Sequence, residues 1–226
     1  MEPNTKVALL AGASGLVGSS CLRLLLQSPR YNKVIILVRK ALPVQHPKLE
    51  QLILDFDNLA NYRDQFKADD IYCCLGTTIK KAGSKENFYK VDYTYVYQLA
   101  TITASNQATQ FLFVTALGAN ANSSIFYSKV KGQIEAAVQA LPFRAIHIFQ
   151  PSLLMGNRTE KRAGESLAQT IMPKLNFLLV GGLRKYRPVQ AEDVAKAMLT
   201  AAQQDVLGLH FHPSDKIIQA SPEVRL

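Results

Sequence analysis

The stretch from Lys6 to Gly18, Lys-Val-Ala-Leu-Leu-Ala-Gly-Ala-Ser-Gly-Leu-Val-Gly, constrains the fold of this chain more than any other. An apolar run, Val7 to Leu10, enters glycines 12, 15 and 18 and leaves as a helical pattern carried by Leu16, Val17, Leu22, Leu24 and Leu25. A second apolar run, Val34 to Val38, completes a βαβ unit of the length that holds a dinucleotide. In such a unit Gly12 permits the tight turn, Gly15 lets the backbone approach a pyrophosphate, and Gly18 lets the helix pack closely on the strand. The helix N-terminus then faces the anion. Gly12, Ser14, Gly15, Leu16, Val17 and Gly18 are therefore assigned to a nucleotide-binding turn. The plainer reading, a glycine-rich turn of an ordinary α/β domain, leaves the ordered strand, helix and second strand unexplained.

The second strand runs into Arg39-Lys40, where an NAD-specific site places an acid to accept bonds from the ribose 2′-hydroxyl. Two cations there suit a 2′-phosphate, so the expected cofactor is NADP(H); the plainer reading of the pair is solvated charge after a strand. A third apolar run, Leu52 to Leu54, ends at Asp55-Phe56. Asp55 reads either as a contact to the adenine edge, shared with Phe56, or as a turn or helix cap.

Strand-like runs at 6–11, 33–38, 51–55, 70–75, 111–115 and 143–149 alternate with helical spacing, notably over 86–105, 124–141 and 191–204. That alternation predicts an α/β fold, a doubly wound parallel sheet of the Rossmann type in one domain spanning 1–226, with a small C-terminal lobe. Right-handed crossovers bring every strand's C-terminal end to one edge, where a ligand belongs. The rhythm breaks over 156–190, rich in Gly and Pro, which reads as a substrate-side insertion, and the last ten or so residues read as a weakly tethered tail. The formal charge of +9 comes from scattered single and paired cations without an aromatic-basic platform, so a basic cleft for an anionic dinucleotide is preferred to a nucleic-acid partner. Cys21, Cys73 and Cys74 lack metal-ligand spacing and read as reduced core residues. With no stretch of about 20 apolar residues and no leader pattern in the first residues, a cytoplasmic protein without a membrane partner is expected.

Tyr127 and Lys131 are four apart in a helical segment and share a face. A lysine ammonium beside a phenol favours the phenolate and readies it to exchange a proton with a carbonyl or an alcohol. Among nine tyrosines the spacing says little by itself, but this pair follows Thr115 at the end of the fifth run by twelve residues. Thr115 can then hold a substrate oxygen while Tyr127 protonates it and Lys131 also binds the nicotinamide ribose. His210 and His212 alternate on a late strand without metal-ligand spacing, and Tyr89, Tyr93 and Tyr97 recur every four residues, as on a packed helix face.

Through these residues the chain resembles the short-chain dehydrogenase/reductase superfamily, in its atypical NADPH-binding branch similar to the Tat-interactive protein family. The resemblance spans nearly the whole length. It rests on Gly-Ala-Ser-Gly at 12–15, Arg39-Lys40, Asp55-Phe56, Cys73-Cys74-Leu75-Gly76-Thr77-Thr78, Val91-Asp92, Tyr127 with Val130-Lys131-Gly132, and Gln150-Pro151 leading to Arg162-Ala163-Gly164-Glu165. It implies a Rossmann-like fold with NADPH held by Leu75, Gly76 and Thr77 beside the glycine loop. It also implies Tyr127 and Lys131 in the catalytic positions, and Leu154 and Arg162 reaching the cofactor. Arg162 reads equally as a solvated charge. The superfamily often dimerises through the helices carrying Tyr89 and Tyr127, so a monomer or homodimer is expected. Two departures stand out: Thr115-Ala116 replaces a frequent serine pair, and Gln150 stands where arginine often precedes proline. The carbonyl-orienting role then falls on Thr115 alone. Two functions follow as expectations: an NADPH-dependent oxidoreductase acting on a carbonyl, or an NADPH-binding sensor with little catalysis. The substrate has no signature in the sequence.

Overall fold

The computed structural model describes residues 5–156 and 181–220. Seven parallel strands form the main sheet: β1 (Lys6–Ala11), β2 (Tyr31–Val38), β3 (Leu49–Ile53), β4 (Asp70–Cys73), β5 (Gln110–Val114), β6 (Ala145–Gln150) and, after the short strands β7 (Leu154–Met155) and β8 (Val189–Gln190), β9 (Gly208–Pro213). Their order is β3-β2-β1-β4-β5-β6-β9, and every pairing is parallel. The order reverses between β1 and β4, which opens a crevice at the C-terminal strand ends as expected for a doubly wound sheet. β7 and β8 pair separately as a parallel ribbon.

Central strands are buried on both faces because helices cover both, which is why Val34–Val38 reads as an unbroken apolar run. On one face α1 (Leu16–Gln27) packs with α6 (Ala191–Gln203) and α7 (Ser214–Gln219) through Leu22, Leu25, Val194, Met198 and Ile217. On the other, α4 (Tyr95–Ser105), α5 (Phe126–Gln139) and a 3₁₀ segment, Phe56–Gln65, bury Leu59, Leu99, Ile134 and Val138. Short helices α2 (Ile79–Ala82) and α3 (Lys85–Tyr89) fill the crossover after β4.

The helix expected over 86–105 is interrupted. α3 passes through a π-helical turn, Lys90–Thr94, before α4 begins. The wide turn carries Asp92 inward, where it is 1% exposed. Tyr89, Tyr93 and Tyr97 stack on one another along this segment, with centroids 4.7 and 6.0 Å apart. Of the expected tail, the part up to Ala220 is packed, because α7 buries Ile217 and its Ser214 hydroxyl accepts the Ser152 N–H at 2.8 Å, while 221–226 lie outside the described residues. His210 and His212 are joined by His147 from the neighbouring strand, with His147 Nδ1 3.1 Å from His212 Nε2. Burial beside the other imidazoles pushes His147 down to about 3 and His212 down to about 4, so both rings are neutral. Among the described residues no cluster could hold a metal and no helix is long and apolar enough to cross a membrane. Of the 156–190 insertion, residues 157–180 lie outside the described residues.

Candidate functional site

The glycine loop turns as the sequence requires. Gly12 has φ +86°, and a Cβ there would lie 2.6 Å from the Cys74 carbonyl. A Cβ on Gly18 would lie 2.0 Å from the Gly12 oxygen, so the start of α1 rests directly on the loop. Ser14 and Gly15 are exposed at the mouth, Leu16 is half-buried, and Val17 is core. The N-terminus of α1 has no side-chain cap and no acid in its first turn. Its free N–H groups and positive dipole end therefore suit a pyrophosphate. Gly156 closes against Leu16, with a Cβ position 2.9 Å from Leu16 Cδ1, which brings β7 and its Leu154 back to this loop.

Arg39 and Lys40 are both exposed just past the end of β2. A groove of about 550 Å³ runs nearby from Ser14 along α1 to Gln27 and is closed by Leu42 to His46. Asp55 is exposed and has the geometry of its cap reading. Its carboxylate caps the 3₁₀ segment, accepting the Asp57 N–H at 3.0 Å and the Asn58 amide at 2.9 Å. Phe56 is buried against Tyr95, with centroids 5.6 Å apart. Arg162 lies outside the described residues.

At the ends of β4 and β5, Tyr127 is exposed on α5 beside Phe88, while Lys131 one turn further in is 5% exposed. Lys131 Nζ meets Asp92 Oδ1 at 2.7 Å, and Asp92 Oδ2 accepts the Thr77 N–H at 2.9 Å. A Cβ on Gly76 would lie 3.5 Å from Asp92 Oδ1 and 3.8 Å from Lys131 Nζ, so the loop Leu75-Gly76-Thr77 runs against the ion pair. Burial works against the Lys131 ammonium, but the charges of Asp92 and Tyr127 outweigh it and the net shift is upward. Asp92 did not figure in the sequence reasoning as a site residue. Its signals were the Val91-Asp92 pair of the resemblance and a lone acid within the tyrosine-rich segment.

Thr115 sits where β5 ends, but its hydroxyl faces Glu135 Oε1 at 2.5 Å. The Gln150 amide donates to both Glu135 oxygens, at 3.0 and 3.1 Å. Burial raises the Glu135 carboxyl above its ordinary value despite these donors. A threonine has one hydroxyl proton, and an ionised Glu135 consumes it. Thr115 can then donate to a substrate oxygen only when Glu135 is protonated. Sequence reasoning passed over Glu135, although it continues the Tyr127, Lys131 stripe at a further i+4 step. The same network gives Gln150 a defined task.

The comparisons with known proteins match this fold. The pattern of the NAD dependent epimerase/dehydratase family covers residues 8–212. The chain belongs to that family. Within it, the chain is 34% identical over 174 residues to Protein HTATIP2 of Rattus norvegicus, covering 75% of this chain and 72% of that one. It is 33% identical over 215 residues to Protein FMP52, mitochondrial, of Candida albicans, covering 92% of each. Among solved structures, MoeE5 in complex with UDP-glucose and NAD superposes with a TM-score of 0.68 at 14% identity, over 96% of this chain and 81% of that one. The Bordetella bronchiseptica enzyme WbmH in complex with NAD+ gives 0.68 at 14% identity, over 93% and 76%. The structural likenesses establish the fold, the family pattern establishes the epimerase/dehydratase membership, and together with the sequence relatives they make the chain an atypical dehydrogenase/reductase-like NAD(P)-binding protein.

Proposed function

We propose that this protein is an NADPH-dependent oxidoreductase that reduces a carbonyl. The observation that carries the reading is Tyr127 and Lys131 on one face of α5, with the Lys131 ammonium fastened through Asp92 to the loop Leu75–Thr77 across the crevice from the glycine turn. In this reading Gly12, Ser14, Gly15 and the first turn of α1 hold the pyrophosphate, and Arg39 and Lys40 hold the 2′-phosphate. Leu75 to Thr77 and Leu154 border the nicotinamide half. When bound, the reduced nicotinamide supplies a hydride to the carbonyl carbon. Tyr127 gives its proton to the carbonyl oxygen, Lys131 binds the ribose, and Thr115 orients the oxygen when a protonated Glu135 frees its hydroxyl proton. The chain is proposed to work in the cytoplasm as a monomer or homodimer, although the Candida albicans relative carries a mitochondrial name.

A second reading, an NADPH-binding sensor with little turnover, is favoured by one observation: the Thr115 hydroxyl is already paired with Glu135. Side-by-side fluorescence titration with NADPH and NADH, repeated on Arg39→Ala, tests the cofactor. A preference for NADPH that falls about tenfold in the variant supports the 2′-phosphate site. Failure to bind either nucleotide removes both readings. A panel of carbonyl compounds then separates them, with turnover expected to drop 100-fold or more in Tyr127→Phe while NADPH binding is kept.

A further inference from the structure

The Asp92–Lys131 pair is a closed charge. The side chain of Lys131 is 6% exposed and that of Asp92 0%. Other titratable groups facing this ammonium come from three elements. Tyr127 and Glu135 lie on its own helix, Cys73 comes from β4, and Asp92 comes from the π turn between α3 and α4. Burial pushes the Cys73 thiol up to about 12, so it carries no charge near neutrality. The Glu135 carboxyl is turned away to Thr115 and Gln150. On the outer side of Tyr127, Lys85 lies over the Phe126 ring at 5.4 Å and is exposed, where solvent screens it. The net charge that Tyr127 meets from within the protein is therefore decided by whether Asp92 is ionised.

An ammonium alone beside a phenol draws off the phenol proton and prepares a base, the form needed to oxidise an alcohol or abstract a proton. An ammonium cancelled by a carboxylate at 2.7 Å exerts little such pull. We propose that Asp92 is a positioning residue that cancels the Lys131 charge and keeps Tyr127 protonated, setting this site to reduce carbonyls rather than to oxidise alcohols. The direction rests on the oxidoreductase reading above. In that direction the carbonyl carbon takes a hydride from NADPH, the oxygen takes the Tyr127 proton, and the products are an alcohol and NADP+. The phenolate then recovers its proton from water. Through the Thr77 N–H, the same carboxylate also fixes the nicotinamide-side loop to the catalytic helix.

The test reads Tyr127 directly and needs no substrate. The full-length protein is labelled with 3-fluorotyrosine, the Tyr127 signal is assigned by its loss in Tyr127→Phe, and its titration is followed by fluorine NMR. In Asp92→Asn the midpoint is expected to fall by about one unit or more relative to the unsubstituted protein, because one uncancelled charge nearby moves a group by that much. In the double variant Asp92→Asn with Lys131→Met, which carries no charge at the pair, it should return to within half a unit. Lys131→Met alone leaves the carboxylate uncancelled and moves the midpoint the other way, so the proposal stays testable if Asp92→Asn does not fold. Titrations that superimpose across these variants overturn the role of Asp92, whatever turnover does. With a carbonyl and alcohol pair identified, the pH above which reduction falls off and oxidation rises should move down in Asp92→Asn by about the same one unit. Unmoved pH profiles despite a shifted midpoint overturn the assignment of direction and leave the charge cancellation standing.

Discussion

The two ends of the sheet both bury acids, and they use them differently. At the N-terminal end, Asp70 at the start of β4 is fully buried. It accepts from Arg30 Nε at 3.0 Å, the Tyr31 hydroxyl at 2.8 Å and the Gln110 amide at 3.1 Å, with Lys6 at 3.8 Å. Asp205 closes the cluster from outside, held well below the usual carboxylate range by Arg30 and Lys6. Every partner there belongs to the start of a strand or to a loop beside one. At the C-terminal end each buried acid serves one reactive group, Asp92 serving Lys131 and Glu135 serving Thr115. Many partners on one acid make a fastening. One reactive partner on each acid makes an adjustable site.

The largest effect is expected at the fastening. Asp70→Asn strips the buried counter-charge from Arg30 and should cost about 3–5 kcal/mol in urea unfolding, with NADPH affinity of the folded protein unchanged. A loss of under 1 kcal/mol would erase the contrast. Glu135→Gln should act more weakly and through pH. Because burial raises the native carboxyl, the native protein binds more protons than the unfolded chain between the ordinary carboxylate value and that raised value. Stability therefore falls as pH rises through that window. The amide removes the fall, leaving the variant flatter with pH and more stable on the alkaline side. A decline identical to that of the unsubstituted protein would show that Glu135 is not its source. The smallest stability change is expected when both members of the pair go: Asp92→Asn with Lys131→Met should unfold within about 1 kcal/mol of the unsubstituted protein, as replaced buried pairs often do, while turnover is lost. A large destabilisation would make the C-terminal pair a second fastening.

Much of this was legible in the chain. β1, the glycine loop and α1 could be read residue by residue because local spacing and a backbone requirement coincide at Gly12 and Gly18. Tyr127 and Lys131 were legible because an i+4 pair on an amphipathic helix shares a face under any packing. Asp55 stood open between two readings, and the local backbone has the geometry of the cap. The π turn was hidden because its apolar spacing over 86–105 still resembles a helix, and only the inward demand of Asp92 widens it. The histidine cluster was hidden because His147 and His210 are 63 residues apart in sequence and opposite each other only through the β6–β9 register.

By itself the sequence determined the alternation of strands and helices, the nucleotide turn and the face that carries Tyr127 and Lys131, since each rests on periodicity or on a glycine that nothing else can replace. Tertiary structure alone decided what those residues touch. Asp92 reaches Lys131 from 39 positions away, and Thr115 turns to Glu135 from 20. A buried charge must find a partner wherever the packing brings one, and no local pattern in the chain encodes where that is.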